Sequence, residues 1–198
     1  MKPSHIDQLP DLDAVLNQTI PYRLQAIETL QFAWNWINES EIPRQVEVRV
    51  DGRTKIQGNV AAIANPMIEV GLIHARALLE FLGLCAKDGR LSQILKRRSD
   101  DIGVEHFSTH DFPLNIVSPE NALSAYPGEK SDAESALVAI FEWTNKGLAH
   151  LTNGLSGKYT DQHLDIACRG IPVLLHNHLY AKLGREIPKL TGPDMSNA

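Results

Sequence analysis

The chain predicts a mainly α-helical fold, a bundle of four or five helices carrying a small β-hairpin insertion, and three observations carry that expectation. The first is the longest apolar run, Asn59 to Leu84, NVAAIANPMIEVGLIHARALLEFLGL. The second is a recurrence of apolar residues at steps of three and four in Tyr22–Ile37, Ser131–Thr152 and Asp161–Leu183, the period of one helix face. The third is a change of period at 45–57, where Val46, Val48 and Val50 alternate with polar residues before Asp51-Gly52 and a second alternating run. Asp-Gly between alternating runs signals a hairpin, because both residues tolerate positive φ. An extended loop is the competing reading, and a lone hairpin is marginal in water without a surface to lie on.

The apolar run reads as a central, buried helix. At about 100° per residue its polar residues Asn65, Glu69, Arg76 and Glu80 fall within roughly 60° of one another, with His74 on about the opposite side. A buried carboxylate–guanidinium–carboxylate stripe requires partners or a water-filled groove. It reads either as an internal ion-pair network or as a binding surface. Pro66 either kinks this helix or restarts it, with Asn65 as its cap.

The other elements follow in order. Residues 1–19 read as an arm with one helical turn around Leu12–Leu16, and Pro21 suits a first helical position. Ala86–Gly89 reads as a turn, Arg90–Arg97 as a short helix, and Ser99–Phe107 as a turn capped by Ser99 or Asp100. A long connection without sustained period spans 108–130. Ser131 with Glu134 has the spacing of a capping box, and Gly184 closes the last helix beyond Pro172. One domain is expected over 1–187, with a disordered tail over 188–198.

The chain's 198 residues include Lys and Arg to a total of 19 against 24 Asp and Glu, a net charge of −5. This argues against a partner held by overall positive charge, although Lys96, Arg97 and Arg98 offer a local basic groove. No apolar run reaches membrane-spanning length, and the N-terminus lacks an apolar signal core. A cytoplasmic protein without a membrane partner is expected, an interaction or binding module and homo-oligomer whose hairpin edge or apolar helix face binds a partner. Cys85 and Cys168 lack ligand or disulfide-framework spacing and read as buried thiols. Of the eight histidines, His74, His150, His163, His176 and His178 fall on expected helices. None forms the Glu-x-x-His or His-x-x-x-His pair from which helices build metal centres, so no metal or cofactor is expected. An inward-facing metal or small-molecule site assembled across helices is the remaining bundle chemistry.

Three segments carry a resemblance: His74-Ala-Arg-Ala-Leu-Leu-Glu-Phe81, Asp100-Asp101-Ile-Gly-Val-Glu-His-Phe107 and Trp143-Thr-Asn-Lys-Gly-Leu-Ala-His-Leu-Thr152. Together they are similar to a group of uncharacterised bacterial helical proteins with H-A-R-x-L-x-x-F, a D-D segment and W-x-N-K-x-L-A-H-L-T. The resemblance points to His74, Arg76, Asn145, Lys146 and His150. A weaker one is to HEPN domains, helical bundles that include RNA-cleaving toxins and nucleotide binders, whose site is often R-N-x-x-A-H. Asn145-Lys-Gly-Leu-Ala-His150 ends in the same Ala-His but has Asn145 in the place of the Arg. The resemblance implies a metal-independent ribonuclease or nucleotide-binding site. His150 would exchange a proton with the 2′-hydroxyl or leaving oxygen, Arg76 would supply the missing guanidinium, and Lys146 would assist. Ordinary structural roles compete: Lys146 as a solvated partner of Glu142, His150 as a cap of helix carbonyls.

Overall fold

A computed structural model of the protein describes residues 11–42, 44–110, 112–126, 128–148 and 158–189. It is mostly helical, with two small antiparallel sheets of two strands each. Helicity begins at the expected turn around Leu12 but runs on into the next helix without a break. A turn α1 (Leu12–Ala14), capped by the Asp11 carboxylate on the Ala14 N–H at 3.1 Å, runs through a π-helical stretch (Val15–Thr19) into α2 (Ile20–Asn38). Pro21 is the second residue after that π stretch, where its lack of an N–H and its bulky ring are accommodated in a loosened ladder.

Strands β1 (Gln45–Val50) and β2 (Arg53–Asn59) form the expected hairpin, with Asp51 and Gly52 at φ +51° and +73°. Positive φ at both central residues matches the right-handed strand twist. The hairpin leads into α3 (Ala61–Phe81), one continuous helix with Pro66 inside it. Neither a restart nor a cap at Asn65 is found. The side chain that caps the entry is Asn59, whose Oδ1 accepts the Ala61 N–H at 2.9 Å.

Helix α3 also departs from the expectation of burial all round. Ala64, Leu72, Ala75, Leu78 and Leu79 are buried on one side, whereas Glu69, Val70 and Ile73 are exposed. The polar stripe therefore borders solvent and is no sealed network. The cause is packing: α3 lies along α2, close enough that a Cβ on Gly71 would overlap Leu30 and stand 2.8 Å from the Ala26 carbonyl. On the opposite side no helix among the described residues covers Glu69, Val70 and Ile73.

The turn expected over 86–89 falls at Asp88-Gly89 and closes a second hairpin, whose outgoing strand stands where a short helix was expected at 90–97. Strands β3 (Leu84–Lys87) and β4 (Arg90–Gln93) pair around Asp88-Gly89, at φ +52° and +76°. The Asp-Gly signal read at 51–52 is repeated here, but the flanking runs are only four residues long and too short to show a period. The chain then runs through a turn at Ser99-Asp100, where the Asp101 N–H donates to the Arg98 carbonyl at 3.2 Å, to a 3-10 turn (Val104–Phe107), capped by the His106 ring, whose Nδ1 accepts the Gly103 N–H at 2.9 Å, and not by Ser99 or Asp100. The connection expected over 108–130 contains a further helix, α4 (Pro119–Ser124). Ser118 caps it through the Asn121 N–H at 3.2 Å, and Pro119 occupies its first turn.

Helix α5 (Lys130–Glu142) starts after Glu129, one residue before the expected capping box. Glu134 reaches instead to the second hairpin, pairing with Arg90 at 2.7 Å and accepting the Leu91 N–H at 3.2 Å. A π-helical stretch (Trp143–Leu148) follows α5. Its i→i+5 bonding departs from the i+4 register expected from Glu142 onward; His150 lies outside the described residues. Glu142 pairs with Lys158 at 2.9 Å. Helix α6 (Asp161–Leu175) holds Pro172 and continues through a π stretch (His176–Tyr180) and a 3-10 turn (Ala181–Leu183) to Gly184 at φ +65°, the expected left-handed stop. Helix α6 packs on α5, and the common core draws Leu30, Leu79, Ile140, Leu174 and Tyr180 from α2, α3, α5 and the last helical segment. Tyr180 donates its hydroxyl to the Leu16 carbonyl at 2.6 Å, joining the two ends of the described chain. Ile187 packs on the core and Arg185 pairs with Asp13 at 3.3 Å, so order extends to the start of the expected tail. Residues 190–198 lie outside the described residues.

Both cysteines are free; Cys168 is buried, and Cys85 on β3 is half-buried. Burial, reinforced by Asp165, pushes the Cys168 thiol up to about 12, so it is a neutral core side chain. No described helix is long and apolar enough to cross a membrane.

Candidate functional site: a cationic groove

The exposed side of α3 forms one wall of a groove of about 910 Å³. The start of α2 forms a second wall, and the extended segment after β4 forms the third. Its charged residues are Arg23, Arg76, Lys96, Arg97 and Arg98 against Glu80, Asp100 and Asp101. A protein with an overall net charge of −5 thus gathers five cations against three carboxylates in one concavity. Ligand sites commonly fall in the range of about 300–1,000 Å³.

The Lys96-Arg97-Arg98 run shows how the site is held. Successive side chains of an extended chain alternate in direction, and the middle residue turns inward. The Arg97 guanidinium donates to the Glu80 carbonyl at 2.6 Å, which also accepts the Gly83 N–H at 2.9 Å, and to the Phe81 carbonyl at 2.8 Å, both at the C-terminal end of α3. It also pairs with Glu105 at 2.6 Å. Burial alone would raise the Glu105 carboxyl, but the bonds from Arg97 and from its own backbone hold it below the usual carboxylate range. Gly103 lies against the same guanidinium, where a Cβ would overlap it. Arg97 is therefore a brace. It leaves Lys96 and Arg98 exposed on either side, and neither sits in an ion pair among the described residues.

Arg76 reaches across from α3. It pairs with Glu80 at 2.7 Å, approaches the Thr144 hydroxyl at 3.4 Å and donates to the Asn145 side-chain oxygen. Thr144 is held in place because its hydroxyl donates back to the Ile140 carbonyl at 2.8 Å. The π stretch that follows α5 thus turns Thr144 and Asn145 toward α3, as such stretches often do at functional sites. Arg23 bonds to His74 at 3.1 Å. A guanidinium can only donate, so Nδ1 of His74 accepts and the ring is neutral. Burial, then the Arg23 charge, lowers the His74 pKa accordingly, and the Tyr22 ring packs edge-on at 5.3 Å.

Of the residues singled out from sequence, the structure brings together Arg76, Glu80 and Asn145 directly, and adds His74 through Arg23. Glu69 is exposed and joins no ion pair among the described residues. His150 lies outside the described residues, as does the rest of 149–157. Among the described residues no three His, Cys, Asp or Glu side chains come close enough to hold a metal ion. Sequence reasoning missed Arg23 and Thr144, since nothing in a helix period marks which residues face another element's polar stripe. No family model, curated protein or solved structure matches this chain.

Proposed function

We propose that this protein is a binding module, built on a helical bundle, whose ligand is an anion seated in the groove between Arg23, Arg76, Lys96 and Arg98. The observation that supports this reading is the local reversal of charge: in an acidic chain, Arg23, Lys96 and Arg98 face one concavity with no carboxylate partner among the described residues. Such clefts concentrate counter-ions, and guanidinium forks suit phosphate and carboxylate oxygens. Titration calorimetry with pyrophosphate at low salt tests it. Binding that weakens with salt and falls about tenfold or more in Lys96→Glu/Arg98→Glu, the order expected for losing charge-assisted hydrogen bonds, supports the groove; equal binding by the variant removes it. The exposed β1–β2 ribbon, which leaves Val50 and Ile56 in solvent, suits the homo-oligomer expected from sequence, and sedimentation at several concentrations tests that.

A second reading, a HEPN-like metal-independent ribonuclease acting on RNA, draws support from one contact. Arg76 binds Asn145, the residue that stands where the family has its Arg. On this reading Arg76 of α3 would supply the guanidinium that the motif lacks at Asn145. RNA cleavage in chelator by the unmodified protein, abolished in His150→Ala and in Arg76→Ala, is the result this reading requires. No cleavage of a mixed RNA pool by the unmodified protein counts against it.

A further inference from the structure

The non-polar half of the same groove narrows the ligand class. Val15, Ile73, Ala77, Ile94 and Ile102 line it alongside the cations, and Ile73 is 51% exposed. Phe81 is the one aromatic among the lining residues, and it is only 8% exposed. Proteins that hold single-stranded nucleic acid stack bases on aromatic faces, and this groove offers none. It offers an aliphatic floor beside unneutralised Arg23, Lys96 and Arg98. The geometry points to a soluble single-chain amphiphile, an alkyl or acyl chain with a phosphate head, as the occupant. The chain lies on Ile73, Ile94 and Ile102, and the head takes charge-assisted bonds from Arg98, Lys96 and Arg23. This rests on the reading of the groove as an anion site and assigns that anion its class.

The arrangement has a physical logic. A half-exposed isoleucine in a concavity is apolar surface that a chain would remove from water, and each methylene so buried is worth about 0.8 kcal/mol. The head alone has exposed cations to bind, where solvent and salt weaken every pair. Affinity should therefore come from the chain and orientation from the head.

The test is calorimetry on the full chain with inorganic phosphate, butyl phosphate and octyl phosphate, all below micelle-forming concentration. The expected result is an affinity that rises roughly three- to fourfold per methylene over the series. Ile73→Asn, at a half-exposed position compatible with folding, should flatten that rise, and Arg98→Glu should weaken all three ligands. The series on unmodified protein stands whether or not a variant folds. Equal affinity for inorganic and octyl phosphate, lost in Arg98→Glu, overturns the amphiphile while keeping the anion site. No binding of any phosphate overturns both. Capture by phosphatidate vesicles without binding of octyl phosphate, or a short RNA displacing octyl phosphate at lower concentration, also overturns the amphiphile and assigns the groove to a membrane lipid or to RNA.

Discussion

Arg97 is the residue on which the groove's third wall depends. Its side chain is 12% exposed, and it spends its donors on two helix carbonyls and Glu105. Arg97→Met leaves the Phe81 carbonyl unmet, the Glu80 carbonyl with only the Gly83 N–H, and Glu105 without its guanidinium. A loss of about 2–4 kcal/mol in urea unfolding is expected, along with weaker pyrophosphate binding, because Lys96 and Arg98 lose their anchor. Gly103→Ala acts through the same brace by pushing on the guanidinium. Tyr126 presents the opposite case. Its hydroxyl is buried with no hydrogen-bond partner among the described residues, pressed against Gly170, and burial pushes its pKa far above the ordinary tyrosine value. Tyr126→Phe removes an unmet polar group at nearly constant shape, so stability should rise by about 1 kcal/mol. An unchanged or lower urea midpoint would show that the hydroxyl finds a partner in solution.

At the scale of elements, the two hairpins share a turn and differ in support. Strands β3 and β4 are tied to α5 by Glu134 and bury Leu84 and Leu91. Strands β1 and β2 have no buried residue along their length. Hydrogen exchange should be fast in Arg53–Asn59 and slow at Leu84–Lys87, since few buried contacts mean low local stability. Equal protection in a monomer would contradict this, and protection of β1–β2 that grows with concentration would mark the ribbon as the oligomer contact. Gly71 sets the spacing of α2 and α3. Gly71→Ala should cost about 1–3 kcal/mol, because its methyl group meets the Leu30 side chain and the Ala26 backbone.

For the whole molecule, acid is the expected weakness. Burial, with Arg23 beside one ring and Lys182 beside the other, lowers the pKa of His74 and His178. Both are neutral in the fold. As pH falls below about 6.5, the unfolded chain binds protons that the folded chain does not, and stability falls with it. Glu105 adds a loss of the same sign at lower pH, as its depressed carboxyl is protonated. The urea midpoint should therefore drop between pH 7.5 and 5.5, and His74→Gln/His178→Gln should flatten that drop. A midpoint independent of pH in the unmodified protein would contradict the neutral assignment.

How much was legible follows from the range of each cause. Helix period, the Asp51-Gly52 turn and the Gly184 stop depend on neighbours within a few residues, and all three appear in the structure. Asp88-Gly89 carries the same turn signal, but its flanking strands of four residues each are too short to show a period that would mark a hairpin. Glu134 looked like a cap because its spacing from Ser131 was right, yet Arg90 and the Leu91 N–H, some forty residues earlier in the chain, compete for the same carboxylate and win.

By itself, the sequence determined the helical character, the first hairpin and the cationic run at 96–98, because backbone preference and charge are local properties. Tertiary structure alone decided which side of α3 stays open, that Arg97 turns inward while Lys96 and Arg98 turn out, and that Arg23 and Arg76 join them. Those outcomes depend on which distant carbonyls and carboxylates come within hydrogen-bond reach of each guanidinium. An apolar helix read alone cannot reveal a missing neighbour.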